Sequence, residues 1–283
     1  MKFGCHISIR RGFLEAAKTA TLLGADAFQY FPKNPRSLTV KVFQRQDAAA
    51  CASYCRERGI RSIAHTPYPT HIAADPGELR QATIDSLRND LDIADACGSV
   101  GIVVHFGKFR GKDPLQGYKN IIQCVNEVLS GYAGQTLLLL ENQAGEGTMM
   151  GTTLEELVQV RRLCERPELV GFCFDTCHAF ASGLWPSSPS EGWRQLEERM
   201  EQTGYWADLQ AIHLNDSLYP RGGCKDRHAR IGHGEMGEER FAAMLGSSKL
   251  RERLNLPIVL ETPVPRGVTH ESEICYIREM GTR

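Results

Sequence analysis

The chain has 283 residues, 42% hydrophobic and 24% charged, with 33 basic against 34 acidic side chains and a formal net charge of −1. That much apolar material excludes a largely disordered chain, and the length excludes a small scaffold that depends on disulfides. A balanced charge excludes a globally basic nucleic-acid binder, so any polyanion must meet a local cluster of Lys and Arg.

The opening residues Met1-Lys2-Phe3-Gly4-Cys5-His6 lack the apolar run of a secretory signal, and no stretch has the length of a membrane span. The expectation is a cytoplasmic protein with no membrane role. Its ten irregularly spaced cysteines are then expected as reduced thiols. Strand and helix signals alternate along the whole chain. Residues 3–7 read as a strand and 10–23 as a helix stopped by Gly24; 27–31 is the next strand, and Asp47 is placed to cap a helix that ends at Gly59. After a strand at 62–66, Ile84, Leu87, Leu91 and Ala94 recur at helical spacing up to Gly98.

Residues 100–105 form the fourth strand, 115–129 a helix, and 136–141 the fifth strand, whose unbroken leucines suit a strand covered on both faces. Thr153 and Glu156 spell a capping box that opens a helix to Cys164. Strands at 170–174, 209–214 and 258–261 and helices at 193–203, 238–245 and 272–280 complete eight strand and helix pairs. Eight such units with right-handed crossovers predict an α/β fold: a (β/α)8 TIM barrel, one domain over residues 1–283, with an open doubly wound sheet as the alternative.

Ionisable residues recur where the predicted strands end. His65, His105, Glu141, Asp175 and Glu261 close strands three, four, five, six and eight, His213 lies near the end of strand seven, His178 stands just past Asp175, and the loop after strand seven adds Asp226 and His228. Barrel active sites gather on that face, where residues distant in sequence converge. The set supplies five imidazoles and four carboxylates with no obligatory thiolate, which suits zinc, manganese or iron at a hydrolytic site that takes an anionic substrate. His6, at the end of strand one, is a possible substrate or supporting contact. His71, His233 and His270 read as structural or exposed, and Cys51, Cys55, Cys173 and Cys177 as packing residues. Gly145 and Gly147 do not make a dinucleotide fingerprint, since the G-x-G-x-x-G spacing is absent.

Residues 140–147 (LENQAGEG), 174–180 (FDTCHAF), 213–217 (HLNDS), Asp226-Arg227-His228 and 231–234 (IGHG) together resemble the signatures of the endonuclease IV family, zinc-dependent endonucleases for apurinic/apyrimidinic (AP) sites. The resemblance covers essentially the whole chain. It implies a (β/α)8 barrel with three zinc ions, manganese or iron being alternatives at individual sites. His65, His105 and Glu141 would hold the first, Asp175, His213 and Glu261 the second with Glu141 bridging, and His178, Asp226 and His228 the third. The implied reaction is incision of double-stranded DNA on the 5′ side of an abasic site, leaving a 3′-hydroxyl, with Glu141 and Glu261 as catalytic carboxylates and Glu261 orienting a hydroxide.

Residues 31–36 resemble the loop whose arginine enters the duplex, which assigns Arg36 and Lys33 to DNA, and Tyr68 matches a stacking position. Pro69 stands where the family carries a bulky aliphatic residue, and His105-Phe106-Gly107 replaces a common His-Pro-Gly. Lys108 and Arg227, with Arg110, Lys112, Arg221, Lys225 and Arg230, would supply the local basic surface. A monomer is expected. The alternatives are a sugar isomerase or epimerase of the xylose-isomerase-like barrels, with one or two metals, and a non-catalytic protein that binds damaged DNA.

Overall fold

The apolar runs become strands in the predicted order: β1 (Lys2–His6), β2 (Ala27–Tyr30), β3 (Arg61–His65), β4 (Gly101–Val104), β5 (Leu137–Glu141), β6 (Val170–Asp175) and β7 (Leu209–His213), then a short antiparallel ribbon of β8 (Asp216–Ser217) and β9 (His228–Ala229), and finally β10 (Pro257–Leu260). The structure, a computed structural model, describes residues 1–281; residues 282 and 283 of the expected domain lie outside the described residues. Seven strands and β10 pair in parallel and close a barrel in the order β1-β10-β7-β6-β5-β4-β3-β2. Closure sets aside the open-sheet alternative.

The helices α1 (Phe13–Leu22), α2 (Arg45–Arg58), α3 (Glu78–Ala96), α4 (Pro114–Leu129), α5 (Leu154–Leu163), α6 (Thr176–Ser182), α7 (Gly192–Thr203), α8 (Glu238–Gly246), α9 (Ser248–Glu252) and α10 (Glu271–Met280) occupy the connections. Their apolar faces and the outward faces of the strands share one large core. The capping box at Thr153 is formed in both directions. Asp47 departs from expectation. It lies inside α2, and its carboxylate accepts the free N–H groups of Phe13 and Leu14 at the start of α1, at 2.7 and 3.3 Å. A helix start needs an acceptor whatever its place in sequence, and a neighbouring helix supplies it here.

A second, smaller apolar layer fills the barrel bore: Ala27, Ile63, Val103, Leu139, Cys173, Ala211 and Val259, one from each strand except β1. On β1 the corresponding residue is Gly4, where a Cβ would lie 1.6 Å from the Ala27 carbonyl oxygen. Side chains two apart on a strand share a face, so the residues that follow these by two also point inward, one layer higher. Those residues are His6, Gln29, His65, His105, Glu141, Asp175, His213 and Glu261. No helix among the described residues is long and apolar enough to cross a membrane.

Candidate metal centre

Seven of the expected site residues and one unexpected amide thus meet at the C-terminal mouth because of strand register alone. Asp175 is the cross-strand partner of His213, and His6 of Gln29. Glu141 is at the centre and fully buried. Its Oε1 lies 2.9 Å from His213 Nδ1 and 3.4 Å from His178 Nδ1, and its Oε2 lies 2.8 Å from His105 Nε2 and 3.8 Å from His65 Nε2. His213 Nδ1 is also 3.2 Å from Glu261 Oε2 and 3.8 Å from Asp175 Oδ2.

The remaining ligand set comes from outside the barrel strands. Asp175 accepts the His178 N–H at 2.7 Å and so caps α6, which brings His178 back over the mouth. The β8–β9 ribbon carries His228, and Asp226 Oδ1 stands 3.2 Å from His178 Nε2 and 3.1 Å from His228 Nε2. Asp216 organises this loop. Its buried carboxylate accepts the N–H groups of Ser217, Gly232, Gly234 and Met236, all within 3.0 Å.

Hydrogen bonds decide which ring nitrogens carry protons. His65 Nδ1 faces the Thr66 carbonyl at 2.8 Å and His178 Nδ1 the Asn142 carbonyl at 2.9 Å; a carbonyl only accepts, so both Nδ1 atoms donate and both Nε2 atoms keep a lone pair. Gln29 donates its Nε2 to Glu261 at 2.5 Å, which turns its oxygen to His213 Nε2 at 2.7 Å and leaves the lone pair on Nδ1. Every one of these free lone pairs points at carboxylate oxygens. Glu141 Oε2, His178 Nε2 and His228 Nε2 are buried and have no hydrogen-bond partner. Acceptors aimed at acceptors repel unless positive charge lies between them, and a buried polar atom left unpaired is costly. The donors therefore fit cations, and they fall into the groups His65, His105 and Glu141; Glu141, Asp175, His213 and Glu261; and His178, Asp226 and His228, each with ligand atoms within 4.8 Å of one another.

The same field draws protons when no cation is bound. Burial alone would lower the imidazoles, yet the surrounding acids raise His178 and His213 well above the ordinary value and His228 to about 9. Burial would likewise raise the carboxyls, but the histidines hold Glu141 well below its ordinary value and Glu261 at about 2. Cys177 lies near Asp175 and His228, but burial pushes its thiol up, so it stays a protonated packing group as expected.

Neutral amides hold the ligands. Asn142 and Asp175 exchange two hydrogen bonds, and Asn215 donates to Asp175 at 2.7 Å and to Glu261 at 3.3 Å while accepting the Glu261 N–H. Gln29 is not among the sequence candidates, and Asn142 and Asn215 lie in the quoted motifs with no role assigned to them. An amide two residues above a bore-filling residue is the signal that finds Gln29.

Above the ligands opens a cleft of about 990 Å³ lined by His6, Tyr68, Pro69, Lys108, Glu146 and Arg227 among others. Tyr68 is 71% exposed and leans its ring edge on Phe31 at 5.2 Å. Arg36 is exposed beside it, since Tyr68 N–H binds the Pro35 carbonyl at 2.8 Å. Arg110, Lys112, Arg221 and Lys225 are also exposed, whereas Arg230 is half-buried and pairs with Glu273 at 3.5 Å.

Lys33 corrects the expected DNA set. Its chain turns away from the cleft, is buried, pairs with Asp90 of α3 at 2.7 Å and donates to the Ser86 carbonyl at 2.9 Å. Phe106 is buried in the core, and Gly107 has φ +84° with no room for a Cβ beside the His71 ring. His71 and His270 line the cleft and face the carbonyls of Lys108 and Thr262, at 3.2 and 3.1 Å, and His233 is exposed.

A family model described as a xylose isomerase-like TIM barrel matches residues 16–280. A chain from Symbiobacterium thermophilum named probable endonuclease 4 is 43% identical over 280 residues, which is 99% of both chains. This chain belongs to the endonuclease IV family. The crystal structure of endonuclease IV from Thermus thermophilus aligns with a TM-score of 0.83 at 27% identity over 99% of this chain and 98% of that one. A D-tagatose 3-epimerase-like protein aligns at 0.68 and 18% identity, over 99% and 95%, a likeness of fold alone.

Proposed function

We propose that the protein is a metal-dependent AP endonuclease that incises double-stranded DNA 5′ to an abasic site and leaves a 3′-hydroxyl. The observation that carries this reading is the set of three donor groups, two of them sharing Glu141, at the floor of a cleft of about 990 Å³. Full-length similarity to probable endonuclease 4 supports it. The sugar isomerase reading shares only the fold, and the ligand group of His178, Asp226 and His228 gives it nothing to do.

Imidazole and carboxylate donors suit zinc, and three zinc ions are the expected complement, with manganese or iron as alternatives. Bound there, the ions would lower the pKa of water toward ~7 and neutralise the phosphate and the leaving oxygen. Glu261, held by Gln29 and Asn215, stays anionic and orients the attacking water from the floor of the cleft. Attack on phosphorus breaks the bond to O3′; that oxygen takes a proton and leaves as the 3′-hydroxyl, while the phosphate stays with the abasic residue. Arg36 and Tyr68 stand where they can enter or stack on the duplex, and Lys108 and Arg227 where they can meet phosphates. We place the protein in the cytoplasm as a monomeric, single-domain enzyme that works without a membrane.

The test is a duplex carrying one abasic site, incubated with and without a chelator, with both new ends mapped. A 3′-hydroxyl at the 5′ side of the lesion, lost on chelation, is expected; cleavage on the 3′ side, or no dependence on metal, refutes the proposal.

A further inference from the structure

Glu146 is an acid on the wall of the cleft, beside the cations Lys108 and Arg227 that would meet a polyanion and apart from the ligand carboxylates Asp226 and Glu261. No step above uses it. Its Oε2 accepts the Asp226 N–H at 3.1 Å and lies 3.2 Å from Arg227 Nη1, while its Oε1 lies 3.9 Å from Lys225 Nζ. Lys108 lies over the same loop, for a Cβ on Gly147 would come within 3.1 Å of its Cδ. Glu146 is thus surrounded by one backbone donor and three cationic side chains, Arg227, Lys225 and Lys108.

We propose that Glu146 is an electrostatic gate on the cleft, engaging Arg227 in the free protein and releasing it to a phosphate when a duplex docks. The inference rests on the DNA-directed reading above and adds a residue that sets how readily the cleft accepts a backbone. Arg227 is 56% exposed and Glu146 22%. Ion pairs open to water to this degree are weak, and a phosphate that sheds its counterions competes with them. Glu146 therefore lowers affinity for any backbone that cannot displace it, and favours one seated closely enough to take Arg227.

Glu146→Gln separates the charge from the scaffold, because the amide oxygen still accepts the Asp226 N–H and the loop keeps its anchor. The probe is an undamaged 20-base-pair duplex, which offers phosphates but no lesion, followed by fluorescence anisotropy across a salt series. Affinity of the holoenzyme is expected to rise about threefold to fivefold at low salt, the upper range for an exposed pair. The plot of log K against log salt should steepen by ~0.9, one added phosphate contact. In an Arg227→Ala background the gain should vanish. Unchanged affinity and slope in Glu146→Gln overturn the gate, as does an equal gain without Arg227. Binding by the wild type with no response to Glu146→Gln sinks the gate alone; no binding by the wild type sinks the gate and the DNA-directed reading together.

Discussion

The floor and the rim of the cleft are built on opposite plans. On the floor, Glu141, Asp175 and His213 are fully buried and stand at strand ends, with the Asp175 side chain held by the Asn215 amide and the His213 ring by the Gln29 amide. On the rim, Arg36, Tyr68, Lys108 and Arg227 stand on loops in solvent, with Lys108 and Arg227 on connections that follow different strands. Barrel closure thus fixes where the strand-borne donor atoms go, whereas backbone contacts are left to loops that can adapt. Floor changes should therefore cost chemistry, and rim changes should cost binding.

The largest effect expected comes from the floor. Glu261→Gln removes the anion and keeps the shape, but its amide has one acceptor oxygen where the carboxylate has two, so only one of the contacts donated by Gln29 and Asn215 survives; lesion binding should persist while incision falls by ~10²–10³-fold, the scale of losing one preorganised charge-stabilising group. Parallel gel-shift and single-turnover measurements check it; incision at the wild-type rate would remove Glu261 from the mechanism. Lys33→Met tests whether the rim has a buried root of its own. It leaves Asp90, which burial already raises to about 6, without its partner, and should cost ~3 kcal/mol by urea denaturation. Adding Asp90→Leu should recover most of that loss, and a single variant as stable as the wild type would show that the pair anchors nothing.

Arg36→Ala should weaken binding to abasic duplex about tenfold, roughly 1.4 kcal/mol, with metal content by mass spectrometry unchanged. Altered metal content would place Arg36 on the floor side of the comparison. The smallest effect is a slope with pH. In the metal-stripped protein His228 is raised from its ordinary value to about 9, and His178 and His213 are raised as well, so their contribution to stability is full below about 6.5 and is lost as pH rises toward 9. Chelated protein should therefore melt progressively lower from pH 6.5 to 9. Metal-loaded protein should not, because neutral imidazoles are what the metal takes. Equal slopes for both forms would contradict the assignment of these histidines as ligands.

The floor was legible because a strand has a period of two and a barrel has one mouth, so an apolar run that ends in His, Asp or Glu already specifies both the direction and the company of that side chain. Gln29 obeys the same rule, but an uncharged amide at a strand end carries no signal of its own in the sequence. Lys33 shows the opposite case. A lysine in a basic loop reads as a phosphate contact until a buried carboxylate, 57 positions away in Asp90, claims it. The Asp47 cap likewise went to the neighbouring helix, since hydrogen bonds are satisfied in space and the linear chain shows only local partners.

The apolar plug formed by Ile63, Val103, Leu139 and their fellows closes the bore from below. Ions, water and cleaved strands have no back door, and all traffic uses the opening that a docked duplex would cover. Once seated, a duplex would be the stopper of its own reaction flask, and any cations beneath it would have no other way out.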